Sequence, residues 1–237
     1  MEVIILKISA YKEKDAIVTA FNNEQSISFL AKRILDPKNS NASINTPLVL
    51  TDITLNDDKN YKNPLLKSSK LLFTPMKSNN SLLYLSTLML IDEIVLKLTL
   101  EEDRNKLYFD LKEGLELIKS SDDNIYFVLL SLLTKILKIN GYDMEVNKCV
   151  ICSNKKDISS FSFEDGGFLC TNCYQGIKSF TKNELMYLRY LFLSKGMKAI
   201  DLLLDKEEYK HLLHKYFDFI EESLDVRLKS KEIFFLE

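Results

Sequence analysis

The sequence predicts an α+β chain: a small N-terminal β-barrel, then an α-helical domain with an inserted zinc ribbon. Three features carry this reading. The hydrophobic period is close to two from Met1 to about Lys77 and close to 3.6 after Pro75. Five short strand-like runs crowd into the first 77 residues, which suits a closed barrel. All four cysteines fall in two C-x-x-C knuckles, Cys149-Val150-Ile151-Cys152 and Cys170-Thr171-Asn172-Cys173.

The runs Val3 to Ile8, Ala16 to Phe21, Ser26 to Lys32 and Leu48 to Leu55 alternate apolar and polar residues, and a fifth short run lies near Leu71 to Phe73, after Pro64. Asn22-Asn23 suits the tight turn between the second and third. An OB-fold is the commonest way to close five strands, so residues 1–77 are expected to be an OB-fold nucleic-acid-binding domain.

The remainder, 78–237, is expected to be helical. Leu82 to Leu98 is apolar on most sides and reads as a deeply buried helix. From Glu102 to Lys119, Leu107, Leu111, Leu115 and Ile118 form one stripe, as on a surface helix. A third helix runs from Asp122 to Ile139 and stops before Gly141, a suitable C′ residue. Thr181-Lys182-Asn183-Glu184 is a capping box opening a helix that ends by Gly196, and a last helix runs from Asp205 to about Leu228.

The knuckles interrupt these helices, over residues 149–180. Their spacing matches a structural zinc site, with Cys149, Cys152, Cys170 and Cys173 closing a tetrahedron around one Zn²⁺ and leaving no open position for a substrate. Between them, Ile158 to Phe163 alternates like a strand, Glu164-Asp165-Gly166-Gly167 is turn chemistry, and Phe168-Leu169 leads back to the second knuckle. Two disulfides or four separate buried thiols form the alternative, which an intracellular address disfavours.

Composition narrows the function classes. Apolar residues make up 46% and charged residues 28%, an ordinary globular balance, and the longest apolar runs are too short to span a bilayer. A cytoplasmic address is therefore expected. Net charge is −2, but residues 1–80 carry 11 Lys or Arg against 8 Asp or Glu, the one segment with a positive excess. Arg is scarce, so the expected contacts are lysine to phosphate rather than forked contacts to base edges. The basic candidate is the loop leaving the third strand, with Lys32, Arg33 and Lys38 tracking phosphates and Tyr11, Phe21 or Phe29 available to stack on bases. A solvated charged loop, and aromatics that merely fill the barrel, are the plainer readings.

Catalytic patterns are lacking. The glycines form neither a phosphate loop nor a dinucleotide fingerprint. His211 and His214 sit three apart with no third ligand beside them, no Gly-x-Ser-x-Gly elbow is present, and the acid and metal-ligand pattern of a nucleobase deaminase is missing. A non-enzymatic protein is expected, with no catalytic or cofactor-binding residues beyond the zinc ligands.

The order of these parts resembles one family. Tyr11-Lys12-Glu13-Lys14-Asp15-Ala16-Ile17-Val18-Thr19, then Ala31-Lys32 leading through Pro37-Lys38 into a Ser/Asn loop, look like the opening of RecO, the bacterial recombination mediators. Phe161-Ser162-Phe163-Glu164-Asp165-Gly166-Gly167-Phe168-Leu169-Cys170 resembles the family's zinc-bearing members, and Tyr216 through Arg227-Leu228-Lys229-Ser230 its closing helix. The resemblance implies binding to single- and double-stranded DNA, strand annealing, and, together with RecR, exchange of SSB for RecA on single strands. It also implies contact with SSB through its C-terminal tail and a nucleoid-associated, cytoplasmic location. Where the family usually has Gly after the Ala-Lys pair this chain has Arg33, and Ile34, Leu35 and Asp36 dilute the charge that follows. The alternative from a different class is a zinc-ribbon scaffold for protein interaction that never touches DNA.

Overall fold

The computed structural model describes residues 1–56, 61–176, 179–197 and 204–236. Of the expected ribbon insertion, residues 177 and 178 lie outside these. Two compact units emerge, Met1–Asp122 with Leu228–Glu237, and Asp123–Arg227. Compactness thus groups two helices that follow residue 77 with the barrel, whereas the boundary expected at 77 marks the change in hydrophobic period.

In the first unit, β1 (Glu2–Ala10), β2 (Ala16–Phe21), β3 (Ser26–Ala31), β4 (Leu50–Asn56) and β5 (Leu65–Phe73) close an OB-like barrel in the order β1-β2-β3-β5-β4, with β4 returning to β1. Strand alternation builds its core: Ala16, Val18 and Ala20 of β2 and Phe29 and Ala31 of β3 point inward to meet Val3, Ile5, Ile34, Ile44, Val49 and Ile53. The small Ala16 and Ala31 face one another across β2 and β3, and Val18 faces the bulky Phe29, so small and large residues alternate along the narrow barrel. The fifth strand is nine residues long rather than three. Its Lys67-Ser68-Ser69-Lys70 centre lacks apolar alternation because it is largely solvent-facing, and its pairing with β4 holds it in place.

Helix α1 (Leu82–Leu98) starts at Ser81, whose side chain accepts from the Tyr84 N–H, and buries residues on most of its faces, as expected. A 3₁₀ segment over Glu101–Leu107 precedes α2 (Tyr108–Ser120), which buries Leu111, Leu115 and Ile118. The Tyr108 hydroxyl (2.6 Å) and the Lys112 ammonium (2.9 Å) both donate to Glu2 on β1, fastening α2 to the barrel.

The second unit holds α3 (Ile125–Ile139), the hairpin of β6 (Ile158–Ser162) and β7 (Gly167–Cys170), α4 (Lys182–Leu193) and α5 (Lys206–Leu224). Gly141, at φ 88°, closes α3 in the left-handed region. Thr181 and Glu184 form the expected capping box, and Asp205 with Glu208 forms a second at α5. Helix α5 ends four residues before the expected Leu228, because Asp225 turns left-handed (φ 50°). Leu228 onward returns to the first unit, where α6 (Ser230–Phe234) packs on α1. No described helix is long and apolar enough to cross a membrane.

Candidate metal centre and nucleic-acid interface

The ribbon hairpin brings the four cysteines together. Register pairs Ile158 with Cys170 and Phe161 with Phe168, so the second knuckle grows directly from the end of β7. Asn154 accepts from the Cys149 N–H at 2.8 Å and Cys149 from the Ser153 N–H at 2.9 Å, which folds the first knuckle back on itself. Val150 N–H donates to Phe168 at 2.9 Å and ties that knuckle to β7. The four sulfurs lie within 4.8 Å of one another, and Cys152 and Cys170 are 3.6 Å apart. A disulfide needs about 2.05 Å, whereas ligands about 2.3 Å from a tetrahedral ion stand about 3.8 Å apart. None of the four cysteines is in a disulfide, and their sulfurs are close enough to hold one metal ion between them.

Electrostatics favour the same occupant class. Burial opposes the Cys149 thiolate, yet the N–H groups of Cys152, Cys170 and Ile151 aimed at its sulfur bring its pKa down to about 6. The neighbouring sulfurs, Cys152 foremost, push Cys173 up to about 12. Four thiolates this close cannot all ionise alone, and a divalent cation removes the conflict.

Phe161, Phe163 and Phe168, legible in the sequence only as strand residues, anchor the ribbon through their rings. Phe161 meets Phe163 (4.8 Å), Phe168, Phe180 and Phe192, and Phe163 continues to Tyr216 (4.9 Å) and Phe219 (5.0 Å) on α5. Alternation within Phe161-Ser162-Phe163 was the available signal. His211 is drawn into this neighbourhood as a hydrogen-bond partner: its Nδ1 lies 2.6 Å from the buried Glu184 carboxylate.

In the barrel unit, the loop after β3 is ordered by its own polar side chains. Asp15 accepts from the Arg33 N–H (2.8 Å), Asn39 donates to the carbonyls of Lys32 and Arg33 (3.1 Å each), and Asn41 accepts from both the N–H and hydroxyl of Ser69 on β5. Lys32, Arg33 and Lys38 are all exposed. Arg33 adopts φ 53°, so the residue that stands in the glycine position keeps the backbone a glycine would favour, at a cost of about 1 kcal/mol. Arg33 and Lys38 line one cleft together with Asp36, while the Lys32 ammonium lies 4.6 Å from the centre of the Tyr61 ring. Asp36 accepts from the Lys38 N–H and from the Arg33 guanidinium and faces Lys14 at 3.5 Å, and these contacts hold its carboxyl below the usual range. Of the three aromatics considered for stacking, Phe29 fills the barrel core and Phe21 is buried edge-on to Tyr108. Tyr11 alone is exposed.

Comparison with known proteins decides the family. The family described as "Recombination protein O C terminal" matches residues 80–232. The chain belongs to the RecO family. It is 26% identical to the DNA repair protein RecO of Caldanaerobacter subterraneus subsp. tengcongensis over 98% of this chain and 95% of that protein. The DNA repair protein RecO of Clostridium perfringens is 29% identical over 92% of this chain and 89% of its own length. That of Bacillus subtilis is 25% identical over 97% and 91%. RecO similarity therefore extends across barrel, helices and ribbon alike.

Proposed function

We propose that this RecO-family protein is a non-enzymatic mediator of DNA repair and recombination. In this reading it binds and anneals DNA strands and, with RecR, helps exchange SSB for RecA on single-stranded DNA. Lys32, Arg33 and Lys38 contribute phosphate contacts, and Cys149, Cys152, Cys170 and Cys173 hold one structural Zn²⁺ that keeps the ribbon folded against its helices. Contact with SSB goes through the SSB C-terminal tail, and the protein works in the cytoplasm on the nucleoid.

The observation that carries the reading is RecO-family similarity along nearly the whole chain, joined to an OB-like barrel with three exposed cations on the loop after β3. Lysine-to-phosphate recognition, which is electrostatic and independent of sequence, needs no catalytic group and no nucleotide. Annealing of complementary strands coated with SSB is the direct test. Acceleration of pairing without ATP supports the mediator; no acceleration, together with no DNA binding at low salt, overturns it in favour of the interaction scaffold. The neutralisation of Arg33 and Lys14 at Asp36 is the observation that favours that second reading.

A further inference from the structure

The outer surface of the barrel carries an apolar floor that its fold does not require. Because Ala16, Val18, Phe29 and Ala31 point inward, alternation turns Ile17 and Leu30 outward, and the two are direct cross-strand partners. They floor a cavity of about 220 Å³ walled by Tyr11, Tyr61, Lys62 and Asn63. Backbone hydrogen bonds hold the chain at or near each wall. Tyr11 N–H donates to the Asp15 carbonyl (2.9 Å), closing the turn from β1 to β2, and Leu30 N–H donates to Pro64 (2.9 Å), pinning the segment that enters β5.

We propose that this cavity holds one unstacked nucleobase of a single strand between Tyr11 and Tyr61, with Lys12, Lys32 and Lys62 taking the adjoining phosphates. The proposal rests on the reading of the protein as a DNA binder and deepens it. Size agrees, since the cavity is smaller than the roughly 300–1,000 Å³ of a drug-sized site and suits one flat ring system. Charge agrees as well. Lys12 lies 5.4 Å from the Tyr11 ring centre and Lys32 4.6 Å from that of Tyr61, and among the described residues no acidic one lines the cavity. Each ammonium rests on an aromatic face that a base would cover, and on entry of the base it swings to the phosphate, exchanging one favourable contact for two. Position agrees too. The cavity lies on strands two and three between the first and the last interstrand connections, the face with which OB-folds hold oligonucleotides. Lys32 joins this cavity to the basic loop, so a strand leaving the base site passes directly to Arg33 and Lys38.

The test compares the full-length protein's binding of oligothymidylate and of an abasic strand of equal length across a salt series. The parent is expected to prefer the strand with bases. Tyr11→Ala and Tyr61→Ala should each weaken oligothymidylate binding by roughly tenfold, leaving abasic binding and the salt slope unchanged, while Tyr11→Phe and Tyr61→Phe keep most of the affinity. Unchanged abasic binding doubles as the control for folding. If both alanine variants bind oligothymidylate like a salt-sensitive parent, the cavity is not a base site, although DNA binding stands. Equal losses on both strands overturn it too, since a phosphate contact would then have been removed. A parent that binds neither strand at low salt removes the DNA reading itself, and the base site with it.

Discussion

The guanidinium of Arg33 donates to the carboxylate of Asp36 at 2.9 Å, inside the loop on which phosphate binding is expected to depend. The same carboxylate draws in Lys14, so two of the local cations share one anion. Such exposed pairs add little to folding, but they compete with phosphate for the same charges. Asp36→Asn keeps an acceptor for the Lys38 N–H and releases both cations. Single-stranded DNA should then bind several-fold more tightly, with a salt slope steeper by up to about 0.7 for each phosphate gained. Titrations at three salt concentrations check this, and unchanged slope and affinity would place the DNA path away from Arg33.

Replacing Lys32, Arg33 and Lys38 together by Glu should weaken binding and flatten the salt slope by up to about two units, at about 0.7 for each phosphate lost. Because Asp36 already engages Arg33, Arg33→Glu alone should do little in the parent and much more in the Asp36→Asn background. That non-additivity is read from a double-mutant cycle, and additive effects would contradict the pairing.

For the ribbon, protein purified without added metal should contain one zinc per chain, measured by elemental analysis. Cys170→Ser, which removes the ligand at the end of β7, should lose the metal and open the ribbon to protease while the barrel unit stays intact. Four titratable native thiols with no zinc would contradict the site.

How much of this was legible beforehand depended on where the physics is local. The knuckles, the capping box at Thr181 and the stop at Gly141 are short-range chemistry, and each is found where the residues indicate. Strand β5 was seen only at its apolar end, because Lys67 to Lys70 are held by pairing with β4 rather than by burial. Alternation alone could not tell Phe21 and Phe29 from a stacking platform; the side of the barrel wall each residue faces is a property of closure. The opposition of Asp36 to Arg33 was invisible as well, since the left-handed turn at Arg33 is what folds the pair together.

Gly167 sits at φ 146°, and a Cβ there would come within 2.2 Å of the Glu145 carbonyl oxygen. Glu145 pairs alongside this position and accepts from the Phe168 N–H at 2.9 Å, so the close approach fixes how the chain enters the first knuckle. Gly167→Ala should therefore destabilise the second unit by about 3 kcal/mol, as overpacking at backbone does, and weaken zinc retention although every ligand remains. Gly166→Ala offers the contrast: its Cβ meets nothing within 4 Å, and only the strain of φ 84° applies. Equal losses from both would show that space at Gly167 is not the constraint.

Two neighbouring carboxylates on α1 set opposite pH dependences. Burial, with the charge of Glu93 adding to it, pushes Asp92 up to about 7, and its Oδ1 is buried without a partner. Its unfolded value is about 3.9, so the stability it contributes is fully present below about pH 4 and is lost as pH rises toward 7, by up to about 4 kcal/mol. Asp92→Asn removes that loss: melting temperature should rise at pH 8, and the gain should shrink toward pH 4. Glu93 behaves the other way. Burial opposes its charge, but Lys97 and the N–H groups of Ser230 (2.7 Å) and Lys229 (3.1 Å) bring its pKa down to about 2. Its contribution is present above about pH 4.5 and is lost as pH falls toward 2. Glu93→Gln should therefore destabilise the protein at neutral pH and, by weakening the start of α6, speed protease cleavage near the C-terminus. Thermal melts of the parent and both variants from pH 2 to 8 separate the two groups. A parent-like pH profile in Asp92→Asn would mean that Asp92 is charged and solvated in the folded protein.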